Sequence, residues 1–232
     1  MKTPSFPNLV LLILAPFFFT WFGLVVFPWM MLGHLAPIQD ADSTDIKPWD
    51  VSGSAHQGEQ VYAANGCVYC HTQQVRATSN NSDIIRGWGT ATDDSDPKKD
   101  VTRRTYPRDY IWQHQTFLGN TRNGSDLTNV GHRYTTSAAL YSYLYDPSDP
   151  AKPDSHSSMP AYRFLFETRK ISGAGPSQDA VVVREALAPP AGYEIVPTAE
   201  AKSLVAYLLS LNKGYHLPDE NGPVVATSPS AQ

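Results

Sequence analysis

The chain has 232 residues, 41% of them apolar and 17% charged, with a formal net charge of −4. That length holds one large domain, or one ordinary domain with an accessory segment, and the absence of a Lys/Arg run or basic face argues against nucleic-acid binding. Two cysteines are too few for a disulfide scaffold, while 19 prolines and 15 glycines predict long loops rather than a dense helical bundle.

Between Thr3 and Gln39 there is no Lys, Arg, Asp or Glu, and "LVLLILAPFFFTWFGLVVFPWMMLG" (Leu9 to Gly33) is almost wholly apolar. Leu9 to the residue before Pro28 is 19 residues, roughly 28 Å at 1.5 Å per residue and close to a hydrocarbon core. A signal-peptide core runs about 7–15 residues, so this stretch is too long for one. Its only small-residue cleavage pattern, "HLA" ending at Ala36, is followed by Pro37. The segment reads as a retained single-pass helix of a bacterial cytoplasmic membrane. Lys2 on one side and Asp40, Asp42 and Asp45 on the other place the N-terminus (1–8) in the cytoplasm and the remainder in the periplasm by the positive-inside tendency. Trp21 and Trp29 are candidates for the interfaces, or plain lipid-facing residues. A linker follows over 34–55.

Both cysteines then fall in "NGCVYCHTQQVR", as Cys67-Val68-Tyr69-Cys70-His71. Four chemistries use paired thiols: a disulfide staple, a thioredoxin-like redox pair, half of a zinc site, and covalent haem attachment. A thioredoxin pair opens a helix after a strand, whereas "AHQGEQVYAANG" reads as a helix running into the motif, with Val61, Ala64 and Val68 at helical spacing. A zinc site requires further ligands, and no second cysteine pair exists. C-x-x-C-H is the haem c attachment signal: two thiols add across two vinyl groups, and the adjacent imidazole reaches the iron from the same face. One covalently bound haem c is therefore expected, on Cys67, Cys70 and His71.

Counting narrows the sixth iron ligand. Met159, in "SSMPAYRFLF", is the only methionine beyond the anchor, and Pro160 would stiffen the loop presenting its sulfur. A thioether opposite imidazole favours reduced iron and suits electron transfer. Met159 could also be a core filler, and a bis-histidine arrangement could use His114, His132 or His156. Around these residues the pattern is that of an all-α, loop-rich, class I-like cytochrome c domain spanning 56–214. A helix is predicted near "TTSAALYSYLY", ended by Asp146-Pro147. The last helix is predicted in "TAEAKSLVAYLLSLNKG", with Thr198 as N-cap, Ala201, Leu204, Val205, Leu208 and Leu211 as one apolar stripe, and Lys213-Gly214 as its stop. It should pack across the helix before Cys67. "DDSDPKKDVTRR" (Asp93 to Arg104) reads as a solvated loop within an insertion around 77–108, and 215–232 as an extended tail.

The segments "GEQVYAANGCVYCHTQQVR", "NGSDLTNVGHRY", "YDPSDP", "MPAYRFLFE" and "KSLVAYLLSLN", in that order, resemble the membrane-anchored mono-haem subunit of cbb3-type cytochrome c oxidases, the FixO/CcoO family. Ser125, Gln74 and Ala77 stand where the family usually has proline, methionine and proline, and the stretch from 86 to 115 matches little. The resemblance implies an electron-transfer subunit with no bond-making chemistry of its own. Its partners would be an external cytochrome donor, other haem c subunits of the same membrane complex, and a large haem b/haem–copper subunit that reduces O2. Cys67 and Cys70 would hold the macrocycle, His71 and Met159 would bind the iron, and Arg76 or Arg133 could neutralise a propionate. The alternatives are the cytochrome c subunit of a nitric oxide reductase, an anchored carrier of another respiratory or photosynthetic complex, and a haem sensor. With Lys2 set aside, 17 Lys+Arg face 22 Asp+Glu, which hints at a basic donor.

Overall fold

The structure, a computed structural model, describes residues 5–39, 46–77, 82–94, 96, 98–113, 115–150, 157–173 and 175–217. Lys2, the acidic residues at 40, 42 and 45, His114, His156 and the tail from 218 onward lie outside these residues. The chain divides into two compact units, Met1–Lys47 and Pro48–Gln232.

The first unit contains one continuous helix, α1 (Phe6–Leu32), long and apolar enough to span a membrane. Its 27 residues extend about 40 Å at 1.5 Å per residue. It does not end at Pro28. A π-turn over Phe22–Val26 precedes that proline, and the Phe27 N–H reaches back five residues to the Phe22 carbonyl. The wider turn absorbs the donor that proline lacks. A two-residue ladder, β1 (Ile38–Gln39) with β2 (Ile46–Lys47), completes the unit.

The second unit is built on two crossed helices, α2 (Gly53–Ala64) and α6 (Ala199–Ser210). Thr198 caps α6, accepting from the Ala201 N–H at 3.3 Å, and the predicted stripe Ala201, Leu204, Val205, Leu208 and Leu211 is buried. The face that α2 buries centres on Gly58 and Tyr62, with Val61 half-buried against the core and Ala64 exposed. Tyr62 is fully buried, with ring centroids 5.5 Å from Tyr207 and 5.3 Å from Phe117. At the crossing, a Cβ on Gly58 would stand 1.8 Å from the Ser203 carbonyl oxygen, so the two backbones touch where only glycine fits. α6 stops at Ser210, short of Lys213-Gly214, because tertiary partners take over its end. The Gly131 N–H donates to the Leu211 carbonyl at 3.0 Å, and the Lys213 N–H donates to Asn129 Oδ1 at 2.9 Å.

Between these helices lie α3 (Ser82–Ile85), α4 (Val130–Arg133) and α5 (Ser137–Tyr145), the last capped by the Thr136 hydroxyl and burying Leu140, Tyr141 and Leu144. The fold is not strictly all-α. β3 (Thr90–Thr92) pairs with β4 (Asp100–Thr102), and β5 (Phe166–Lys170) with β6 (Tyr193–Pro197), both antiparallel. β6 carries Ile195 and Val196 into the core, and Arg169 meets its register partner Glu194 across the ladder at 2.9 Å. The Asp93 to Arg104 stretch is also corrected: β4 lies within it, Asp93 and Val101 are buried, and the Arg103 side chain is 7% exposed. Arg103 grips Asp109 through two 2.9 Å hydrogen bonds, which pulls this polar run inward.

Gly58→Ala should force α2 and α6 apart and cost about 1–3 kcal/mol by overpacking. Guanidinium unfolding of the detergent-solubilised chain measures this. Gly23→Ala in α1, where nothing lies within 4 Å of the added Cβ, should be neutral.

Candidate functional site

The two cysteines leave α2 through a left-handed glycine. Gly66 has φ +68°, and a 3-10 turn over Cys67–Tyr69 follows. Both the Cys70 and His71 N–H groups then donate to the Cys67 carbonyl, at 3.2 and 3.0 Å. The string C-x-x-C-H is thus wound into a single turn. Cys67 is half-buried and Cys70 exposed, and the two do not form a disulfide. Burial pushes the Cys67 thiol up to about 11.

His71 is fixed by the segment from Asn123 to Asn129. Its Nδ1 lies 2.7 Å from the Ser125 carbonyl oxygen. A carbonyl only accepts, so Nδ1 carries the proton and Nε2 keeps its lone pair for a metal. Burial lowers the imidazole's proton affinity, against the pull of the Ser125 carbonyl, and favours the neutral ring that a metal requires. The ring packs against Gly124, where an added Cβ would lie 2.2 to 2.7 Å from three ring atoms. Asp126, fully buried, ties this segment to the one after the cysteines. It accepts from Thr72 Oγ1 at 2.6 Å, the Gln74 N–H at 2.8 Å and the Thr128 N–H at 2.9 Å.

Cys67, Cys70, His71, Arg133 and Met159 all line one cavity of about 880 Å³. Much of its wall is apolar, including Leu127, Val130, Leu144 and Leu208. Met159 is half-buried against the core. Its loop is held by a 3.2 Å bond from its own N–H to Ser157 Oγ, and by the Tyr162 N–H donating to the Leu144 carbonyl at 2.9 Å. Among the alternative ligands, His132 stands outside the lining, with Nδ1 at 3.0 Å from Thr92 Oγ1. His114 and His156 fall outside the described residues. Two thiols on one turn, an imidazole with a free Nε2 and a thioether against an apolar wall fit a covalently held, flat, iron-bearing macrocycle.

Arg133 reaches the cavity while its Nη2 donates to the Asp126 carbonyl at 2.5 Å. Arg76 does not line the cavity. It binds Asp83 through its backbone N–H at 2.8 Å and its guanidinium at 3.2–3.3 Å. Arg122, unremarked in the sequence, joins the same carboxylate and also donates to the Gln74 carbonyl at 2.6 Å. Burial works to raise the Asp83 carboxyl, but the hydrogen bonds from Arg122 and Arg76 outweigh it and hold the group well below the usual carboxylate range. Two further lining residues, Arg86 and Trp88, were missed because "IIRGWGT" lies where the family resemblance fades. A tryptophan framed by glycines in a polar stretch was the one available signal.

Asp83 titrates near 4 in an unfolded chain and lower in the fold, so its stabilisation is complete above about pH 4 and is lost as pH falls towards the folded value. Asp83→Asn should cost about 1–3 kcal/mol at neutral pH and flatten the acid limb of stability below about pH 4 in unfolding experiments. An acid limb identical to that of the parent chain would contradict this assignment.

The family profile described as "Cytochrome C oxidase, mono-heme subunit/FixO" matches residues 8–190, well over half of the chain. No curated protein matches it.

Proposed function

The chain belongs to the FixO family of mono-haem cytochrome c oxidase subunits, and from that premise we propose that it is the anchored electron-transfer subunit of a cbb3-type terminal oxidase. Cys67 and Cys70 would hold one haem c by thioether bonds, and His71 Nε2 and the Met159 sulfur would bind its iron. The observation that carries this reading is the convergence of these four residues on one cavity, with His71 already in the tautomer that leaves Nε2 open. When bound, the haem supplies one-electron ferric/ferrous chemistry. The protein orients the imidazole, encloses the group in apolar side chains and sets its potential.

α1 anchors the subunit in the bacterial cytoplasmic membrane, with the N-terminus cytoplasmic and the region from about 34 onward periplasmic. The haem domain takes electrons from an external, basic cytochrome and passes them to the haem b/haem–copper subunit, where O2 is reduced. Neither step forms or breaks a bond on this chain. Arg133 is the cation assigned to a propionate. Arg76 instead locks the loop after the attachment turn through Asp83.

Methionine ligation gives ferric haem a weak near-infrared sulfur-to-iron band. Met159→Ala should abolish the band and lower the potential, with the haem still attached. A persisting band would reject Met159 as the ligand. Gly124→Ala should tilt the imidazole through its clash with the ring and broaden the ferric electron-paramagnetic-resonance signal. The chain should co-purify with a multi-helix subunit containing haem b and copper. Recovery with a haem–non-haem-iron subunit would point instead to a nitric oxide reductase.

A further inference from the structure

The apolar wall of the cavity suits the body of a haem, but a haem also bears two carboxylates, and burying an ionised carboxylate is costly unless donors meet it. The cavity places Arg86 and Trp88 together in its lining. Trp88 is 7% exposed, and among the described residues nothing accepts from its indole N–H. An N–H donor without a partner, on a residue of the cavity wall, is available to an acceptor bound there.

Its ring is held from several directions. The Trp88 backbone N–H donates to the Asp83 carbonyl at 2.9 Å, and Asn129 Nδ2 donates to the Trp88 backbone carbonyl at 3.1 Å. The guanidinium carbons of Arg86 and Arg122 lie 4.9 and 5.6 Å from the ring centroid. Of the nearby guanidinium groups, Arg76 and Arg122 share Asp83. Arg86 has no carboxylate partner among the described residues. One cation and one N–H donor are thus available at the same corner of the cavity.

We propose that Arg86 and the Trp88 indole N–H together form a binding corner for one ionised haem carboxylate, and that Arg86 thereby tunes the haem's reduction potential. This rests on the haem assignment above. Ferric haem carries one more positive charge than ferrous, so an uncompensated carboxylate favours the ferric form. Pairing with Arg86 removes that bias and raises the potential. Trp88, rigidly held, supplies direction, while the planar guanidinium supplies charge and a two-pronged donor. Both are positioning residues; neither touches the iron.

The test uses the full chain, matured with its haem in detergent, in four forms: parent, Arg86→Gln, Arg86→Lys and Trp88→Phe. Redox titration of Arg86→Gln should show a roughly fivefold fall in the ferrous-to-ferric ratio at fixed potential, which is ~40 mV downward at 59 mV per tenfold for one electron. Arg86→Lys should recover most of that shift. Trp88→Phe keeps the ring and removes only the N–H. It should move the propionate-bending band in the resonance Raman spectrum, as should Arg86→Gln. Arg76→Gln should leave both readouts unchanged. Parent-like potentials and Raman bands in Arg86→Gln and Trp88→Phe would overturn the proposal, as would a larger shift in Arg76→Gln. A parent chain that holds no covalent haem would instead refute the haem assignment on which the proposal rests.

Discussion

The Nδ1–H of His71 donates to the Ser125 carbonyl at 2.7 Å, and the arrangement of the cavity follows from that bond. It fixes the tautomer and leaves Nε2 as the only metal-binding nitrogen of the ring. The segment supplying the carbonyl must then approach the imidazole very closely, which explains glycine at 124. Asp126 keeps that segment in register by bonding the backbone and Thr72 hydroxyl of the opposing strand of chain. A serine in place of the proline usual in the family does not disturb this, because the acceptor is a backbone carbonyl that any residue provides.

Two glycines do comparable work at the helix crossings. Gly58 lets α2 rest on α6, and Gly131 lets α4 press against the end of α6, where an added Cβ would lie 2.2 Å from the Leu209 carbonyl oxygen. These contacts set the positions of the cavity walls contributed by Tyr62, Val130, Leu204 and Leu208. The buried charges around Asp83 and Asp109 are offset locally by Arg76 and Arg122, and by Arg103. The stretch from 86 to 115, which matches the family little, contributes Arg86 and Trp88 to the cavity lining.

The sequence disclosed most where chemistry demands neighbours in the chain. Cys67, Cys70 and His71 are adjacent because one turn must present all three, so their spacing can be read directly. Thr198 and the stripe from Ala201 to Leu211 were equally legible, since a cap and a 3.6-residue period are local signals. The strands were not. β3 and β4 are three residues each, too short for a period-2 pattern to stand out, and Phe166 finds its partner in the distant Pro197. The full burial of Tyr62 depends on Tyr207 and Phe117, both distant in the chain. Arg76 stood in a family motif, yet its partner, Asp83, was set by a loop whose path the sequence does not announce.

The central claim is that one haem is held covalently by the turn from Cys67 to Cys70. Mass spectrometry of the intact chain, purified from cells that mature c-type cytochromes, addresses it directly. The account predicts a mass increased by a single haem, with the added group on the peptide containing both cysteines, and loss of that addition in Cys67→Ala, Cys70→Ala double-substituted chain. An unmodified mass, or a haem that dissociates on denaturation, would contradict it.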